Sequence, residues 1–405
     1  MSRVAVIGGG PAGIIAAAEA AKAGHAVFLY EKNEKLGKKL FITGKGRCNL
    51  TNDADMDEFL NNIPRNPKFL YSALYGFTNV DVVALINNEG VPTKVERGGR
   101  VFPESDHSSD VIKALAAYLK KSGAVVLLNR AVTEIRRDLE RFTVITKEDA
   151  QTFDALILST GGASYPTTGS TGDGYAFAKN FGHTITQIRP SLIPLATEET
   201  WTKDLMGLSL RNVTLRAYKR GKLVFEELGE MLFTHFGVSG PLVLSASSHM
   251  ADEPQGAELK IDLKPGLNEE ALDKRVLRDF EKNGKKQFQN ALGELLPAKL
   301  IPVAVTLSGI APHTIVSEIT RVQRLAFVKL LKGLTLHVKE ALPVEYAIVT
   351  RGGVSVKEVN ASTLESKLVK NLYFAGELLD VDAYTGGFNL QIAYSTGALA
   401  GRSIR

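Results

Sequence analysis

Three glycines near the N-terminus have the spacing of a turn that binds a diphosphate. Gly8, Gly10 and Gly13 follow a short apolar run, and Glu31 comes 21 residues after Gly10. The first glycine allows a tight turn, the second lets a pyrophosphate approach the backbone, and the third lets a helix pack closely on a strand. A carboxylate at this distance can accept hydrogen bonds from the hydroxyls of an adenosine ribose. The pattern therefore predicts a dinucleotide site.

The residues around these glycines predict the elements that such a turn requires. Residues 4–7 are apolar and largely β-branched, as in a buried parallel strand. Pro11 suits a first helical turn, and a small-residue helix is predicted over residues 12–23. The N-terminus of that helix would present free N–H groups to the phosphates. A second strand, Ala26–Tyr30, ends directly before Glu31, and this context makes the glycine signal specific.

Composition limits the class of protein. The chain has 405 residues, of which 44% are hydrophobic and 23% charged, as in ordinary globular proteins of two or three domains. The net charge of +5 suits anionic ligands but does not by itself indicate nucleic acid. Cys48 is the only cysteine, which excludes an intramolecular disulfide and a flavin paired with a redox-active dithiol. We expect a cytoplasmic protein without a membrane span or a metal site, and the sequence predicts no oligomeric state.

A long glycine-rich stretch follows the second strand, from residue 35 to residue 52. It carries four lysines and one arginine, and it has neither a helical nor a strand period. Loops of this length in a compact domain are usually functional. It is either a solvated basic loop or a ligand contact, and the alternation of glycines with cations favours the ligand contact.

The rest of the chain predicts an α/β, Rossmann-like domain formed by both chain ends, residues 1–190 and 346–405. Near residues 155 and 372, buried strands are predicted that each end in a glycine-bearing turn, which repeats the N-terminal pattern. Alternating residues typical of antiparallel strands predict an inserted β-rich domain in residues 191–265 with 333–345. Helical spacing predicts an inserted helical subdomain in residues 266–332.

Some local predictions can be compared with the structure. Ser109 and Asp173 are predicted to cap helices, because short polar side chains favour the N-cap position. The tripeptide Arg220-Gly221-Lys222 predicts a hairpin turn. Residues 268–332 carry 11 Lys/Arg and 7 Asp/Glu, a net charge of +4. A solvated helical face explains this excess better than a surface for polyanions does.

Five stretches together resemble one family of flavoproteins. The chain is similar to the bacterial FAD-dependent oxidoreductases of the HI0933-like/BaiN type, within the glutathione-reductase/fumarate-reductase clan. The stretches GKGRCNLTN and FTHFGVSGP are specific to that family, and the first glycine turn is generic to the clan. The matching stretches span nearly the whole chain: residues 8–13 with Glu31, 43–52, 160–162 with 168–174, 233–241, and 374–377 with 385–389.

The resemblance implies a non-covalent FAD held by both chain ends. Val132 would lie near the adenine, and Glu377 with Gly376 near the ribityl–pyrophosphate. The loop at residues 43–49 would pass the N5 side of the flavin. A helix beginning near Gly387 would point its N-terminus at the pyrimidine edge, where reduced flavin carries negative charge. The full predicted cofactor-binding set is Gly8, Gly10, Pro11, Ala12, Gly13, Glu31, Lys32, Thr43, Gly44, Gly46, Arg47, Cys48, Val132, Thr160, Gly161, Gly162, Gly376, Glu377, Gly387, Phe388, Asn389 and Leu390.

Three residues are candidates for the chemistry beside the flavin. His235 can donate a proton near neutral pH, and Arg351 can orient an anionic or carbonyl substrate. Tyr384 precedes the glycine pair before the last helix. Each also has a purely structural explanation: a histidine bonded to loop backbone, a surface arginine and a packed tyrosine. Cys48 is expected to be a buried, inert thiol with no covalent link to flavin.

The implied function is hydride transfer between bound FAD and a small, apolar carbonyl or enone-type substrate. NAD(P)H would be a transient electron donor, since no second GxGxxG follows a mid-chain strand. One alternative is an oxidase that uses O₂ on a small amine. The other is a flavin-bearing partner of nucleic acid, which the lack of aromatic residues interleaved on the basic helices disfavours.

Overall fold

The chain forms two compact units. The structure is a computed structural model that describes residues 1–250 and 253–405. The first unit comprises Met1–Ser191 and Val344–Arg405, and the second comprises Leu192–Pro343. The second unit is therefore an insertion, and both ends of the chain belong to the first.

Strands of both units are numbered here in chain order, within the part of the chain that the structure describes. They are β1 (Arg3–Ile7), β2 (Ala26–Tyr30), β3 (Thr51–Asn52), β4 (Thr93–Glu96), β5 (Arg100–Pro103), β6 (Val125–Leu127), β7 (Val132–Asp138), β8 (Arg141–Thr146), β9 (Ala150–Phe153), β10 (Ala155–Leu158), β11 (Arg189–Ser191), β12 (Leu195–Thr197), β13 (Ser209–Lys219), β14 (Lys222–Phe233), β15 (Gly237–Ser239), β16 (Glu258–Asp262), β17 (Leu334–Ala341), β18 (Val349–Arg351) and β19 (Leu372–Phe374).

The α-helices are numbered in the same way. They are α1 (Pro11–Lys22), α2 (Lys38–Ile42), α3 (Met56–Asn61), α4 (Tyr71–Gly76), α5 (Asn79–Asn88), α6 (Ser108–Ser122), α7 (Asp173–Asn180), α8 (Pro241–His249), α9 (Glu269–Lys282), α10 (Phe288–Ala291), α11 (Ile301–Ser308), α12 (Arg321–Lys332) and α13 (Phe388–Arg402).

The first unit is built on a five-stranded parallel sheet in the order β19–β10–β1–β2–β6. Strand β1 pairs with β10 on one side and with β2 on the other. Its residues 4–7 are buried, which explains their continuous apolar run. Helices α1 and α13 pack closely, because a Cβ on Gly397 would lie only 2.3 Å from the carbonyl oxygen of Ala12. The α/β, Rossmann-like fold class is confirmed.

One edge of this sheet collects the predicted turns. Because all five strands are parallel, the residues that follow them meet at the same edge. Gly8 follows β1, Glu31 follows β2, Ser159 follows β10, and Ala375 follows β19. Turns far apart in the sequence thus lie side by side. In open α/β sheets this carboxyl edge is where ligands bind.

Smaller antiparallel sheets accompany the main sheet in the first unit. Strands β7, β8 and β9 form one of them. Strands β3, β5 and β4 form another, which places the end of the glycine-rich stretch in a sheet. Strand β11 pairs with β18, so the residues on either side of the insertion are joined to each other.

The second unit contains a closed barrel in the order β12–β15–β14–β13–β16–β17. Strands β13 and β14 form the predicted hairpin, and Arg220 and Gly221 have φ angles of 49° and 75°. Positive φ at both central residues is typical of a type I′ turn. Helices α9 and α12 contribute the buried residues Leu272, Val276 and Phe327 to the same apolar core as the barrel. The predicted inserted β-rich part is therefore present as a barrel.

Both predicted helix caps are wrong. Helix α6 begins at Ser108 and its N-cap is His107, which has extended backbone and makes no side-chain cap bond. The Ser108 hydroxyl instead donates to the carbonyl of Phe41 at 2.8 Å. Gly172, with φ of 81°, is the N-cap of α7, and Asp173 is the first helical residue. A carboxylate in a first turn is favourable without being the cap, because it lies near the positive end of the helix dipole.

One helical stretch of the first unit, Pro67–Asn88, is long and apolar enough to cross a membrane by length and composition alone. It is divided, since a 3₁₀ turn precedes α4 and the Thr78 capping box starts α5 afresh. Of its most apolar window, 44% is buried inside the protein. Core helices of globular proteins pass the same test, so this stretch is weak evidence for a span.

Candidate cofactor site at the carboxyl edge of the sheet

The first glycine turn leaves room for a ligand at Gly10 only. Gly10 is the N-cap of α1 with φ of −79°, and a Cβ there would meet nothing within 4 Å. A Cβ on Gly13 would lie 1.9 Å from the carbonyl oxygen of Gly8. A Cβ on Gly8, at φ of +108°, would lie 2.5 Å from that of Ser159. Gly8 and Gly13 thus shape the turn, and Gly10 keeps the space in front of α1 open.

Helix α1 presents an anion site to that open space. It starts with Pro11 and has no side-chain cap bond. The first N–H groups of a helix have no partner within the helix, and together with the helix dipole they favour a negative group. This arrangement suits a pyrophosphate.

Glu31 lies at the end of β2 with its carboxylate fixed toward the glycine turn. Its Oε2 accepts from the Gly9 N–H at 2.7 Å, and its Oε1 accepts from the Asn33 N–H at 2.8 Å. The side-chain amide of Asn33 also donates to Oε1, at 2.7 Å. An ionised carboxylate has about four acceptor positions, so about one remains for a ribose hydroxyl. Lys32 points to another group, because its ammonium contacts Asp173 at 2.6 Å. Val132 is the first residue of β7.

Glycines let the other strand ends approach their neighbours. Gly162 follows β10, and a Cβ there would lie 2.4 Å from Oγ1 of Thr350. A Cβ on Gly376 would lie 2.9 Å from the Cβ of Ala12 in α1. A Cβ on Gly174 would lie 2.0 Å from Oγ1 of Thr160. The turn after β19 therefore lies against the start of α1, and the turn after β10 lies against β18 and α7.

The carboxylate of Glu377 joins several of these segments. Its Oε1 accepts from the Thr350 N–H at 2.7 Å, and its Oε2 accepts from the Lys39 ammonium at 2.8 Å. Lys39 also donates to the hydroxyl of Ser164 at 2.7 Å. The side chains of Lys39 and Glu377 are both mostly buried. Glu377 therefore fixes the turn after β19 to the glycine-rich stretch and to β18.

The start of α13 is held by its own side chains. Gly387 is the N-cap with φ of 103°, and a Cβ there would lie 2.3 Å from the Thr51 carbonyl oxygen. Phe388 packs edge-to-face on Phe59 at 4.9 Å. Asn389 accepts from the Ala383 N–H at 2.9 Å and donates to its carbonyl at 2.7 Å. These side chains hold the preceding loop, and Leu390 is half-buried. No side chain caps α13, and the first backbone N–H groups of a helix have no partner within the helix.

The loop at residues 43–48 is anchored through Arg47. The guanidinium bonds to Asp106 at 2.9 Å, pairs with Glu96 and lies 4.1 Å over the ring of Phe102. Its hydrogen bond is the main reason that the pKa of Glu96 is lowered. Gly44 is packed, since a Cβ would lie 2.9 Å from the Asn49 nitrogen, whereas Gly46 is open. Arg47 thus holds the loop in place. The hydroxyl of Thr43 donates a hydrogen bond to the carbonyl of Leu40, in the preceding helix α2.

Cys48 gives a prediction that needs no cofactor. The residue is completely buried, and burial raises the pKa of its thiol to about 12. A thiol with that pKa stays protonated at pH 8 and is a poor nucleophile. We expect a maleimide to leave the folded protein unlabelled over hours and to label one thiol per chain in guanidinium. Labelling of the native protein within minutes would contradict this burial.

The residues at the carboxyl edge fit a bound FAD. Gly10 leaves open space before an uncapped helix, and Glu31 is fixed beside that turn. Among the described residues, Oγ1 of Thr160 and Oδ1 of Asn49 are buried without a hydrogen-bond partner. Buried polar atoms are normally paired, so each calls for a partner from outside the chain. Thr160, after β10, was predicted to bind the cofactor, and Asn49 ends the loop that the resemblance places at the N5 side of the flavin.

Comparison with known proteins agrees with this geometry. The HI0933-like protein Rossmann domain family matches residues 2–403. The chain belongs to the HI0933-like family. It is 33% identical to the 3-dehydro-bile acid delta(4,6)-reductase of Clostridium scindens, over 100% of this chain and 99% of that protein. It is 32% identical to the ribosomal RNA dihydrouridine synthase of Haemophilus influenzae, over 98% and 97%.

Its fold is that of flavoenzymes. The 3-ketosteroid delta1-dehydrogenase of Sterolibacterium denitrificans, solved with 1,4-androstadiene-3,17-dione, aligns with a TM-score of 0.52. The alignment covers 99% of this chain and 98% of that one at 13% identity, so the likeness concerns the fold alone. With the family match, it follows that this HI0933-like protein is an FAD-dependent oxidoreductase.

The three catalytic candidates fall in both units of this HI0933-like enzyme. Arg351 ends β18 and Tyr384 lies in the loop before α13, both in the first unit and both half-buried. His235 lies between β14 and β15 of the barrel unit, exposed beside the ring of Phe236. Tyr384 donates its N–H to the carbonyl of Asn62 at 3.0 Å, which fits a packing role. The catalytic assignment of all three remains a prediction.

Sequence reasoning missed polar residues that the first unit of this family member brings together. Lys39 was seen only as one cation of the glycine-rich stretch, although it pairs with Glu377. Asp380 forms a two-pronged ion pair with Arg65, at 2.5 and 2.8 Å. Asp382 is buried beside Ser191. Asp380 and Asp382 could have been found from the sequence, because two acids lie close together beside an apolar stretch, where acids are unusual.

Proposed function

We propose that this enzyme reduces a carbon–carbon double bond conjugated to a carbonyl, in a small and largely apolar enone-type substrate, with NAD(P)H as the transient electron donor to FAD. The observation that carries the proposal is the pair of names of its full-length relatives. A 3-oxo steroid with a double bond at position 4 is a conjugated enone. The C5–C6 bond of uridine, which is saturated in dihydrouridine, is conjugated to the C4 carbonyl. The names of both relatives therefore describe the reduction of a carbon–carbon double bond that is conjugated to a carbonyl.

The chain's own residues would bind and orient the reactants. Bound FAD, once reduced, supplies a hydride equivalent. The starts of α1 and α13 would hold the negative groups of the cofactor. Arg351 is a half-buried cation in β18, next to the turn that Thr350 and Glu377 hold together. A guanidinium placed at a carbonyl oxygen stabilises the negative charge that develops there when the double bond is attacked.

A uridine in ribosomal RNA is the second candidate substrate. The Haemophilus influenzae relative is 32% identical over nearly the whole chain, almost the same as the 33% of the bile-acid enzyme. Sequence identity therefore does not indicate which of the two relatives shares its substrate with this enzyme. The net charge of +5 is compatible with both an acidic steroid and a polyanion.

The test is a two-step anaerobic experiment on the full-length, FAD-loaded protein. NADH or NADPH is added first, and bleaching of the flavin band is followed. The reduced protein is then mixed with a 3-oxo-4,6-diene bile acid, with a ribosomal RNA transcript, or with O₂. We expect bleaching by one nicotinamide, and reoxidation by the enone with a gain of two hydrogens in the product. The matched control is the same steroid ketone without the double bonds, which should leave the flavin reduced.

Other outcomes assign the chain to the alternatives. If the RNA transcript reoxidises the flavin and yields dihydrouridine while the enone does not react, the substrate is a uridine in RNA and not a small apolar enone. Bleaching by a small amine, with reoxidation by O₂ and by no conjugated double bond, would contradict the reductase and leave an amine oxidase. A flavin that neither nicotinamide reduces would remove NAD(P)H as donor.

A further inference from the structure

Lys39 is a lysine whose ammonium is held at the carboxyl edge of the sheet by two partners. It is the second residue of α2, and its side chain is 21% exposed. The ammonium donates to Oγ of Ser164 at 2.7 Å and to Oε2 of Glu377 at 2.8 Å. An ammonium has three N–H donors, so one remains after these two bonds. Because the side chain is partly exposed, space for a further acceptor adjoins it.

Contacts within the chain place α2 against the glycine turn. Gly37, the N-cap of α2, donates its N–H to the carbonyl of Gly9 at 2.9 Å. A Cβ on Gly9 would lie 2.6 Å from a methyl group of Leu36. Lys39 follows Gly37 by two residues. It therefore lies beside the turn that precedes α1.

The acid that pairs with Lys39 lies against the same helix start. Glu377 follows Gly376, and a Cβ on Gly376 would lie 2.9 Å from the Cβ of Ala12, the second residue of α1. The ion pair of Lys39 and Glu377 thus joins the residues before the N-cap of α1 to those in its first turn. The N-cap itself, Gly10, has open space before it. The ammonium is therefore held beside the open space that suits a diphosphate.

Glu377 does not depend on Lys39 alone for its hydrogen bonds. Its Oε1 accepts from the Thr350 N–H at 2.7 Å, and the Ser164 hydroxyl lies 3.3 Å from the same oxygen. Several donors thus share the negative charge of the carboxylate, while Ser164 adds no charge of its own. The positive charge of Lys39 is only partly neutralised by these partners, so the ammonium still attracts a further anion.

Two neighbouring lysines are directed at other acids. Lys32 contacts Asp173 at 2.6 Å, and Lys38 contacts Glu34 at 3.4 Å. Of these three lysines, Lys39 is the one whose acid adjoins the start of α1. A lysine ammonium acts as a compact point charge and is a common ligand of phosphate groups.

We propose that Lys39 is a further residue of the cofactor site, whose ammonium binds the diphosphate of FAD. Glu377 and Ser164 are positioning residues that hold the ammonium beside the start of α1. The diphosphate is a dianion, and the free N–H groups of a helix start carry only a partial positive charge. The ammonium supplies a full one. This inference rests on the bound FAD and is independent of the substrate in the proposed function.

The test titrates the full-length apoprotein with ligands that differ in their phosphates. ADP carries the adenosine and the diphosphate that it shares with FAD, whereas adenosine carries no phosphate. We expect Lys39→Met to weaken the binding of FAD and ADP about 10-fold or more, because a hydrogen bond to a charged group is lost. The affinity for adenosine should stay unchanged, since methionine keeps the unbranched stem of lysine.

Lys121→Met is the matched control. Lys121 of α6 also pairs with a mostly buried acid, Glu89, at 2.7 Å, and this variant should bind all three ligands as the wild type does. Salt gives a second readout, because screening weakens the attraction between charges. The affinity of the wild type for ADP should fall more steeply with salt than that of Lys39→Met. A merely structural role of Lys39 would leave the two slopes equal.

A double variant keeps the proposal testable if Lys39→Met does not fold. Lys39→Met leaves Glu377 without its ion-pair partner, and a mostly buried acid that loses its partner is destabilising. Adding Glu377→Gln removes that charge and keeps an acceptor for the Thr350 N–H. The double variant should bind ADP about 10-fold or more weakly than Glu377→Gln alone. Equal affinities of these two proteins for ADP would overturn the proposal.

The outcomes separate this inference from the claims around it. Wild-type protein that binds neither FAD nor ADP contradicts the cofactor site, and the role of Lys39 falls with it. Wild-type protein that binds FAD but reduces no conjugated double bond contradicts only the proposed function. If Lys39→Met weakens FAD, ADP and adenosine equally, or weakens none of them, only the role of Lys39 is contradicted.

Discussion

Replacing Gly10 with alanine is expected to give a folded protein that binds FAD more weakly than the wild type does. Gly10 has an ordinary φ of −79°, and a Cβ would meet no protein atom within 4 Å, so the fold should tolerate it. The methyl group would instead occupy the space in front of α1. Loss of one hydrogen bond to a charged phosphate costs about 1.5–3 kcal/mol, or roughly 10- to 100-fold in affinity. Equilibrium titration of the apoprotein with FAD measures this.

The control for Gly10→Ala is the same change at a glycine elsewhere. Gly293 lies in the barrel unit, and a Cβ there also meets nothing within 4 Å. Gly293→Ala should therefore match the wild type in both Tm and FAD affinity. A Gly10→Ala protein that binds FAD as tightly as the wild type would show that the diphosphate does not lie before α1.

Replacing Gly13 with alanine is expected to damage the fold itself. Alanine is favoured over glycine in a helix by up to about 1 kcal/mol, so propensity alone predicts stabilisation. Here the Cβ would lie 1.9 Å from the carbonyl oxygen of Gly8 and 2.6 Å from Oγ of Ser159. Backbone cannot move aside as a flexible side chain can, and overpacking costs about 1–3 kcal/mol or more. We expect a net loss near 2 kcal/mol, which lowers Tm by roughly 4–8 °C.

Thermal unfolding of the apoproteins separates the two glycines. Without FAD, Gly10→Ala should unfold at the temperature of the wild type, whereas Gly13→Ala should unfold earlier or fail to accumulate as folded protein. Equal Tm values for Gly13→Ala and the wild type would mean that the start of α1 does not lie as close to Gly8 and Ser159 as the structure has it.

The sequence predicted those features whose cause lies within a few residues. The strand, glycine turn and helix around Gly8 to Gly13 are encoded by local spacing, and the structure has them at nearly the predicted bounds. The hairpin at Arg220 and Gly221 was equally local, since positive φ at the turn follows from its residues. The fold class followed from the repetition of one local pattern at both ends of the chain.

The polar contacts of the site could not be predicted in this way. Lys39 and Glu377 are 338 residues apart, and Ser191 and Asp382 are 191 apart. Arg47 looked like a free cation of a basic loop, and only the structure places Glu96 and Asp106 against it. Such pairings depend on which strand ends become neighbours in the sheet. A single sequence does not specify that order.

The predicted caps failed for a related reason. Asp173 is a good N-cap residue by type, but Gly172 before it adopts the left-handed conformation and starts the helix one residue earlier. Lys32 then takes the carboxylate at 2.6 Å, a contact across 141 residues. Residue type sets a preference for the cap, and tertiary contacts decide which residue occupies it.

The central claim is that one FAD is bound between the two ends of the polypeptide, at the carboxyl edge of the parallel sheet. The most direct measurement is the absorbance spectrum of the purified full-length protein after incubation with FAD and removal of unbound cofactor. The account predicts the bands of an oxidised flavin, with one FAD per chain. A protein that stays colourless after this treatment would contradict it.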